Sequence, residues 1–118
     1  IANGGSTPEP YLMGSGTGTK YTLTDGTTAA ALHTMMRSNV ANYYGDGMFG
    51  GYTVCAKTGT AETGNGDRAN AWAVGFAPAD SPRIAFAVLV EGDDNDPTPH
   101  GGDVAGPIAR ALLEAGLQ

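Results

Sequence analysis

Apolar side chains recur along this chain with a period that changes from segment to segment. Leu32, Met36 and Val40 fall four residues apart, with Met35 and Tyr43 flanking the same stripe. That spacing lines one face of a helix. Asp25 ahead of it can accept bonds from the free N–H groups of a first turn, and Gly45 suits the residue that ends a helix. A helix is therefore predicted between them, followed by a turn from Asp46 to Gly51. Beyond this point the period shortens. Tyr52 to Ala61 begins with aromatic and β-branched residues, and Ala71 to Ala77 places Trp72, Val74 and Phe76 at alternate positions. Both read as strands. Arg83 to Glu91 is nearly continuously apolar, the pattern of a strand covered on both faces. The link from Glu62 to Asn70 is polar and glycine-rich, and is predicted to be mobile; Pro78 to Pro82 reads as a turn. Neither link carries a helical pattern, so the strands should form an antiparallel meander.

A last helix is predicted around Pro107, which fits a first turn because its missing N–H costs least there. Its apolar stripe is Val104, Ile108 and Leu112, and Gly116 should end it. Residues 1 to 25 are rich in Gly, Thr and Pro. Their apolar patches, Tyr11-Leu12-Met13 and Tyr21-Thr22-Leu23, are separated by Gly14-Ser15-Gly16-Thr17-Gly18, which reads as a loose hairpin or an irregular loop. The expected class is α+β, a three-stranded antiparallel meander flanked by helices.

Composition adds restraint. The chain has 118 residues, 19 of them Gly and 7 Pro, and 41% are hydrophobic, so a modest core and much turn are expected. Net charge is −6, from 6 basic and 12 acidic residues. The basic residues Lys20, Arg37, Lys57, Arg68, Arg83 and Arg110 are scattered, whereas phosphate binding needs them clustered, so no nucleic-acid partner is expected. A single cysteine, Cys55, excludes an internal disulfide and a multi-cysteine metal site. No metal or cofactor is expected. The longest apolar run, Ile84 to Val90, is far short of the ~18 residues that span a bilayer. No leader-like stretch is read in these residues, so the targeting segment of an exported parent is expected to lie outside them.

The chemistry concentrates at Lys57-Thr58-Gly59-Thr60-Ala61-Glu62. Lys-Thr-Gly is one of three motifs of penicillin-binding proteins and related β-lactamases. Alone it is short, and by itself Lys57 reads more readily as a solvated lysine that protects a sheet edge. Its surroundings point the same way as the motif. Ile1-Ala2-Asn3-Gly4-Gly5 is similar to the segment upstream of the motif in penicillin-binding proteins. Ala71-Trp72-Ala73-Val74-Gly75-Phe76-Ala77-Pro78 resembles the strand after it, and Gly101-Gly102 with Ala105-Gly106-Pro107-Ile108-Ala109 resembles the start of the family's last helix. The chain therefore resembles, over nearly its whole length and in the right order, the C-terminal part of a penicillin-binding transpeptidase domain. The Thr-Ala-Glu continuation and the Trp strand look more like a cell-wall transpeptidase than a β-lactamase.

The resemblance implies the C-terminal portion of a β-lactamase/transpeptidase-like fold across residues 1 to 118. It also implies acyl transfer at peptides ending in D-alanyl-D-alanine, and reaction with β-lactams. By resemblance, Lys57 holds the hydroxyl of a second-motif serine and adds positive potential near the substrate carboxylate. Thr58 and Thr60 offer hydroxyls to that carboxylate, Gly59 lets a substrate backbone approach, and the Thr60 N–H donates to the oxyanion. The family's other motifs, S-x-x-K and S-x-N, are absent. Ser6, Ser15, Ser38 and Ser81 are followed three residues on by Glu9, Gly18, Ala41 and Ile84, and two residues on by Pro8, Thr17, Val40 and Arg83. The nucleophile and base are thus expected in a missing N-terminal half of the domain. The parent is expected to be extracytoplasmic and to touch the membrane only through the absent portion. Two rivals remain: a non-catalytic module that binds D-alanyl-D-alanine ends or a partner strand, and a β-lactamase fragment.

Other chemistry-bearing residues receive plainer readings. Cys55 shares the face of Lys57 by alternation and reads as a small packed thiol. His33 and His100 read as surface residues, Trp72 as core, and Asp93-Asp94-Asn95-Asp96 as a charged turn rather than a calcium loop. The Gly14–Gly18 stretch lacks the residues of a phosphate-binding loop.

Overall fold

A computed structural model describes residues 1–64 and 66–118. The link at 62–70, predicted to be mobile, contains Asn65, which lies outside the described residues. Two short strands, β1 (Ser6–Pro8) and β2 (Lys20–Thr22), pair antiparallel. The apolar Tyr11-Leu12-Met13 patch stays exposed in the bend between them. Helix α1 (Gly26–Asn39) follows. The Asp25 carboxylate caps it through the Thr28 N–H and hydroxyl, and these bonds hold the carboxyl below its ordinary range. A widened turn, Val40–Tyr44, continues the helix to Gly45, whose N–H reaches Val40 O at 2.7 Å. Gly45 has φ +75°, the left-handed region that a glycine enters without strain. A single 3₁₀ turn, Asp46–Phe49, leads into the sheet.

The sheet is the antiparallel meander β3 (Cys55–Glu62), β4 (Ala69–Ala77) and β5 (Ile84–Glu91), in the order β3-β4-β5. The Lys57 strand is thus an edge strand. Its ladder starts at Cys55 rather than Tyr52, because Thr53 bonds instead to the Ala79 N–H beyond β4. A second widened turn, Gly101–Ala105, leads into α2 (Gly106–Gly116), with Pro107 in its first turn.

The sheet separates two packing layers. On one face Ala56, Ala73, Ala77, Phe86 and Val88 meet Ala105, Ala109 and Leu113 of the α2 segment, together with Val40, Phe49 and Val54. On the other, Cys55, Phe76 and Ala79 pack with Ala2 and Met36. The predicted α2 stripe is displaced, and the α1 stripe holds at Met36 and Val40 but not at Leu32. The α2 face in the core is Ala105, Ala109 and Leu113, one residue on from Val104, Ile108 and Leu112; Ile108 and Leu112 are exposed. In α1 the buried positions are Ala29 and, just beyond its end, Val40, with Met36 partly covered; Leu32, Met35 and Tyr43 face outward. On α2 two of the three core positions are alanines, Ala105 and Ala109, packed against Ala73 and Ala77 of the sheet, and counting apolar side chains cannot register so close a fit.

Two further expectations need correction. Trp72 is not core: it is 37% exposed, on the sheet face that α1 covers only at the Cys55–Phe76 end. Val74 and Leu89 are open on the same face, so β5 is covered on one side only among the described residues. His33 is not a surface residue. It is half-buried between α1 and the sheet, with Nε2 2.9 Å from Ala79 O and its ring 5.6 Å from that of Phe76. His100 stays exposed. The Cys55 thiol is fully buried, 3.7 Å from His33 O, and burial pushes its pKa up. The Asp93 carboxylate accepts from the Asn95 and Asp96 N–H groups and closes a charged turn.

Candidate active site

Alternation places Lys57 and Gly59 on the partly open sheet face, opposite Val74 and Trp72 of β4. Lys57 is exposed, and its ammonium donates to Thr58 O. Gly59 has clear space where a side chain would project. Behind it lies Gly101: a Cβ there would stand 2.7 Å from Gly59 O and 2.5 Å from Trp72 O. Only a residue without a side chain lets the turn before α2 back the strand so closely. Thr58 is half-buried and Thr60 exposed, both on the α2 side of the strand.

Hydrogen-bond parity fixes which backbone groups face away from the sheet. In an antiparallel ladder alternate residues point both N–H and C=O at the neighbouring strand. Arg37 Nη1 donates to Val54 O at 2.8 Å, Asn39 Nδ2 to Ala56 O at 3.1 Å, and the Thr58 N–H points to the Tyr44 hydroxyl at 3.4 Å. Residues 54, 56 and 58 therefore present their backbone outward, and by the same parity so does Thr60. Side chains of α1 and its extension cover the first three of these positions and stop at Thr58. Arg37 is itself held by Asp46 through contacts of 2.7 and 2.8 Å. Tyr44 Oη lies 2.7 Å from Thr58 Oγ1 and 3.2 Å from Asn39 Nδ2. Burial raises the Tyr44 pKa, but the Thr58 hydroxyl, the Asn39 amide and the Thr58 N–H, each able to donate to a phenolate, and the nearby Lys57 charge outweigh it and hold the phenol below its ordinary range.

Lys57, Thr58, Gly59 and Thr60 are thus consecutive on an edge strand whose outward backbone at Thr60 no side chain covers among the described residues. A groove of about 720 Å³ adjoins them, lined by Ile1, Leu32, Met35, Tyr43, Lys57 and Val74 among others. It is largely apolar, with the ammonium at its rim. Sequence reasoning missed Asn39, Tyr44, Arg37 and Asp46 as neighbours of the motif. Tyr44 carried one signal: a tyrosine next to a helix-ending glycine brings a hydroxyl that needs a partner when its ring is covered. Among the described residues, no cluster of three or more His, Cys, Asp or Glu is arranged to hold a metal, and no helix is long and apolar enough to cross a membrane.

Comparison with known proteins identifies the family. Residues 1–114 match the family model for the penicillin binding protein transpeptidase domain. The Mycobacterium tuberculosis protein named peptidoglycan D,D-transpeptidase PbpA is 38% identical over 133 aligned positions, covering 100% of this chain and 27% of that protein. Its Mycolicibacterium smegmatis counterpart is 35% identical with the same coverage. The crystal structure of PBPA from M. tuberculosis superposes with a TM-score of 0.77 at 36% identity, over 99% of this chain and 31% of that one. Its ceftriaxone acyl-enzyme complex gives 0.73 at 34% identity, over 99% of this chain and 30% of that one. The chain spans about a quarter of the length of these curated relatives. It belongs to the penicillin-binding protein transpeptidase domain family.

Proposed function

We propose that residues 1–118 form the C-terminal portion of the transpeptidase domain of a peptidoglycan D,D-transpeptidase and supply the Lys-Thr-Gly half of its active site. The observation that carries this reading is the position of Lys57, Thr58, Gly59 and Thr60 on an edge strand whose outward backbone is open at Thr60. The substrate is a cell-wall stem peptide ending in D-alanyl-D-alanine, and β-lactams are its mimics. A serine outside these residues attacks the penultimate carbonyl. The Thr60 N–H donates to the developing oxyanion, D-alanine leaves, and the acyl group passes to an amine of a second peptide. The terminal carboxylate lies against the Thr58 and Thr60 hydroxyls in the positive potential of Lys57. An extended peptide adds along the outer edge of β3 beyond Thr58. The parent acts outside the cytoplasm and is held at the membrane by segments beyond this chain.

Intact-mass spectrometry tests the division of labour. This chain incubated alone with a β-lactam should show no covalent adduct, because no serine has a lysine three residues on and an unassisted hydroxyl is a weak nucleophile. With the remainder of the domain added, one adduct should appear, on a serine of the remainder. A stoichiometric adduct between Ile1 and Gln118 refutes the split site. Reversible binding of D-alanyl-D-alanine peptides with no acylation in the complete protein favours a non-catalytic module.

A further inference from the structure

The hydroxyl between the Asn39 amide and Thr58 has its hydrogen-bonding roles fixed by counting donors. Ala56 O can only accept, so the Asn39 atom 3.1 Å from it is the NH₂ group. The second hydrogen of that group points to Tyr44 Oη at 3.2 Å. The Thr58 N–H, at 3.4 Å, is also a donor. Tyr44 Oη thus accepts from both, and among the described residues the neighbour left to receive its own hydrogen is Thr58 Oγ1, at 2.7 Å. Thr58 then accepts from the phenol and keeps its hydroxyl hydrogen for a further acceptor. It is only half-buried, beside the open outward backbone of Thr60. Without the phenol, the threonine hydroxyl could rotate and spend its hydrogen elsewhere.

We propose that Tyr44 is a positioning residue: anchored by Asn39, it donates to Thr58 Oγ1 and so commits the Thr58 hydroxyl hydrogen to the carboxylate of an incoming peptide or β-lactam. The inference rests on the reading of Thr58 as part of a carboxylate clamp. The relay polarises the threonine, because a hydroxyl that accepts a bond donates a stronger one. It also sets the Thr58 rotamer before ligand arrives, so the bound state has less freedom to lose.

The test uses the complete transpeptidase that carries this segment, with benzylpenicillin and its methyl ester as probes. Acylation by each is followed by mass. Tyr44→Phe keeps the ring and removes only the hydroxyl. It should lower the acid-to-ester ratio of second-order acylation rates roughly fivefold, the worth of one neutral hydrogen bond. Because the ratio is taken within one preparation, it does not depend on the fraction folded. In a Thr58→Val background, Tyr44→Phe should leave that ratio unchanged. An equal loss with acid and ester shows that Tyr44 only supports the fold and overturns the inference alone. So does a full loss of the ratio that persists in the Thr58→Val background. A wild-type protein that takes up no label from penicillin overturns the transpeptidase reading and this inference with it.

Discussion

Lys57 carries its charge at the rim of the sheet, and no carboxylate pairs with it among the described residues. A surface lysine with that freedom does little for folding. Lys57→Ala should change unfolding free energy by no more than about 0.5 kcal/mol. On the function proposed above, the same change in the complete enzyme should slow acylation by penicillin at least ~100-fold, since it removes the positive potential assigned to the substrate carboxylate. Thermal unfolding and stopped-flow labelling of one preparation check both; a large loss of stability with normal labelling makes Lys57 structural. The motif was legible because three consecutive residues carry it and flanking segments follow in order. Tyr44 and Asn39 were not, because their contact with Thr58 depends on the widened turn at Val40–Tyr44, and no spacing rule announces a turn of that kind.

At the level of elements, α1 does more than cover one end of the sheet. Its C-terminal side chains, with Tyr44 just beyond, fasten the outer edge of β3 and the residue before it at three alternate positions, Val54, Ala56 and Thr58. Arg37 is the hub, since one guanidinium holds both Asp46 and Val54 O. The pair is partly exposed, at 26% and 37%, so solvent screens much of its Coulomb attraction. Adding the lost bond to the carbonyl of buried Val54, Arg37→Ala should cost about 1–2 kcal/mol. Urea unfolding should show a lower midpoint with an unchanged slope; a change below about 0.3 kcal/mol would mean that the bridge contributes only geometry. The existence and order of α1, α2 and the three strands were readable from period, caps and turns. The faces were not. Ile108 and Leu112 outrank Ala105 and Ala109 in apolar area, yet the alanines lie on the sheet. Hydrophobic counting rewards size, whereas a helix set close to a strand selects against it.

Across the whole molecule the two layers are unequal. The α2 layer is closed, whereas the opposite sheet face is open at Trp72, Val74 and Leu89. The apolar run in β5 was read as covered on both sides, and sequence cannot tell cover within a chain from cover supplied by something else. The two edges of the sheet differ as well. Side chains guard β3 as far as Thr58, whereas β5 has β4 on one side and no strand on the other among the described residues. The Gly92 N–H bonds to Ala69 O, so parity turns the backbone groups of Ala85, Ala87, Leu89 and Glu91 outward along β5. An apolar strand with a free row of donors and acceptors is a template for another strand. Kept apart from the rest of its domain, this chain should self-associate through β5 and leave the motif edge free. Ala87→Pro deletes one outward N–H and no ladder bond, so it should suppress concentration-dependent association in sedimentation while Lys57→Ala leaves it unchanged. The asymmetry has a practical meaning: the side chains that guard β3 as far as Thr58 also keep the Lys57 strand out of aggregates.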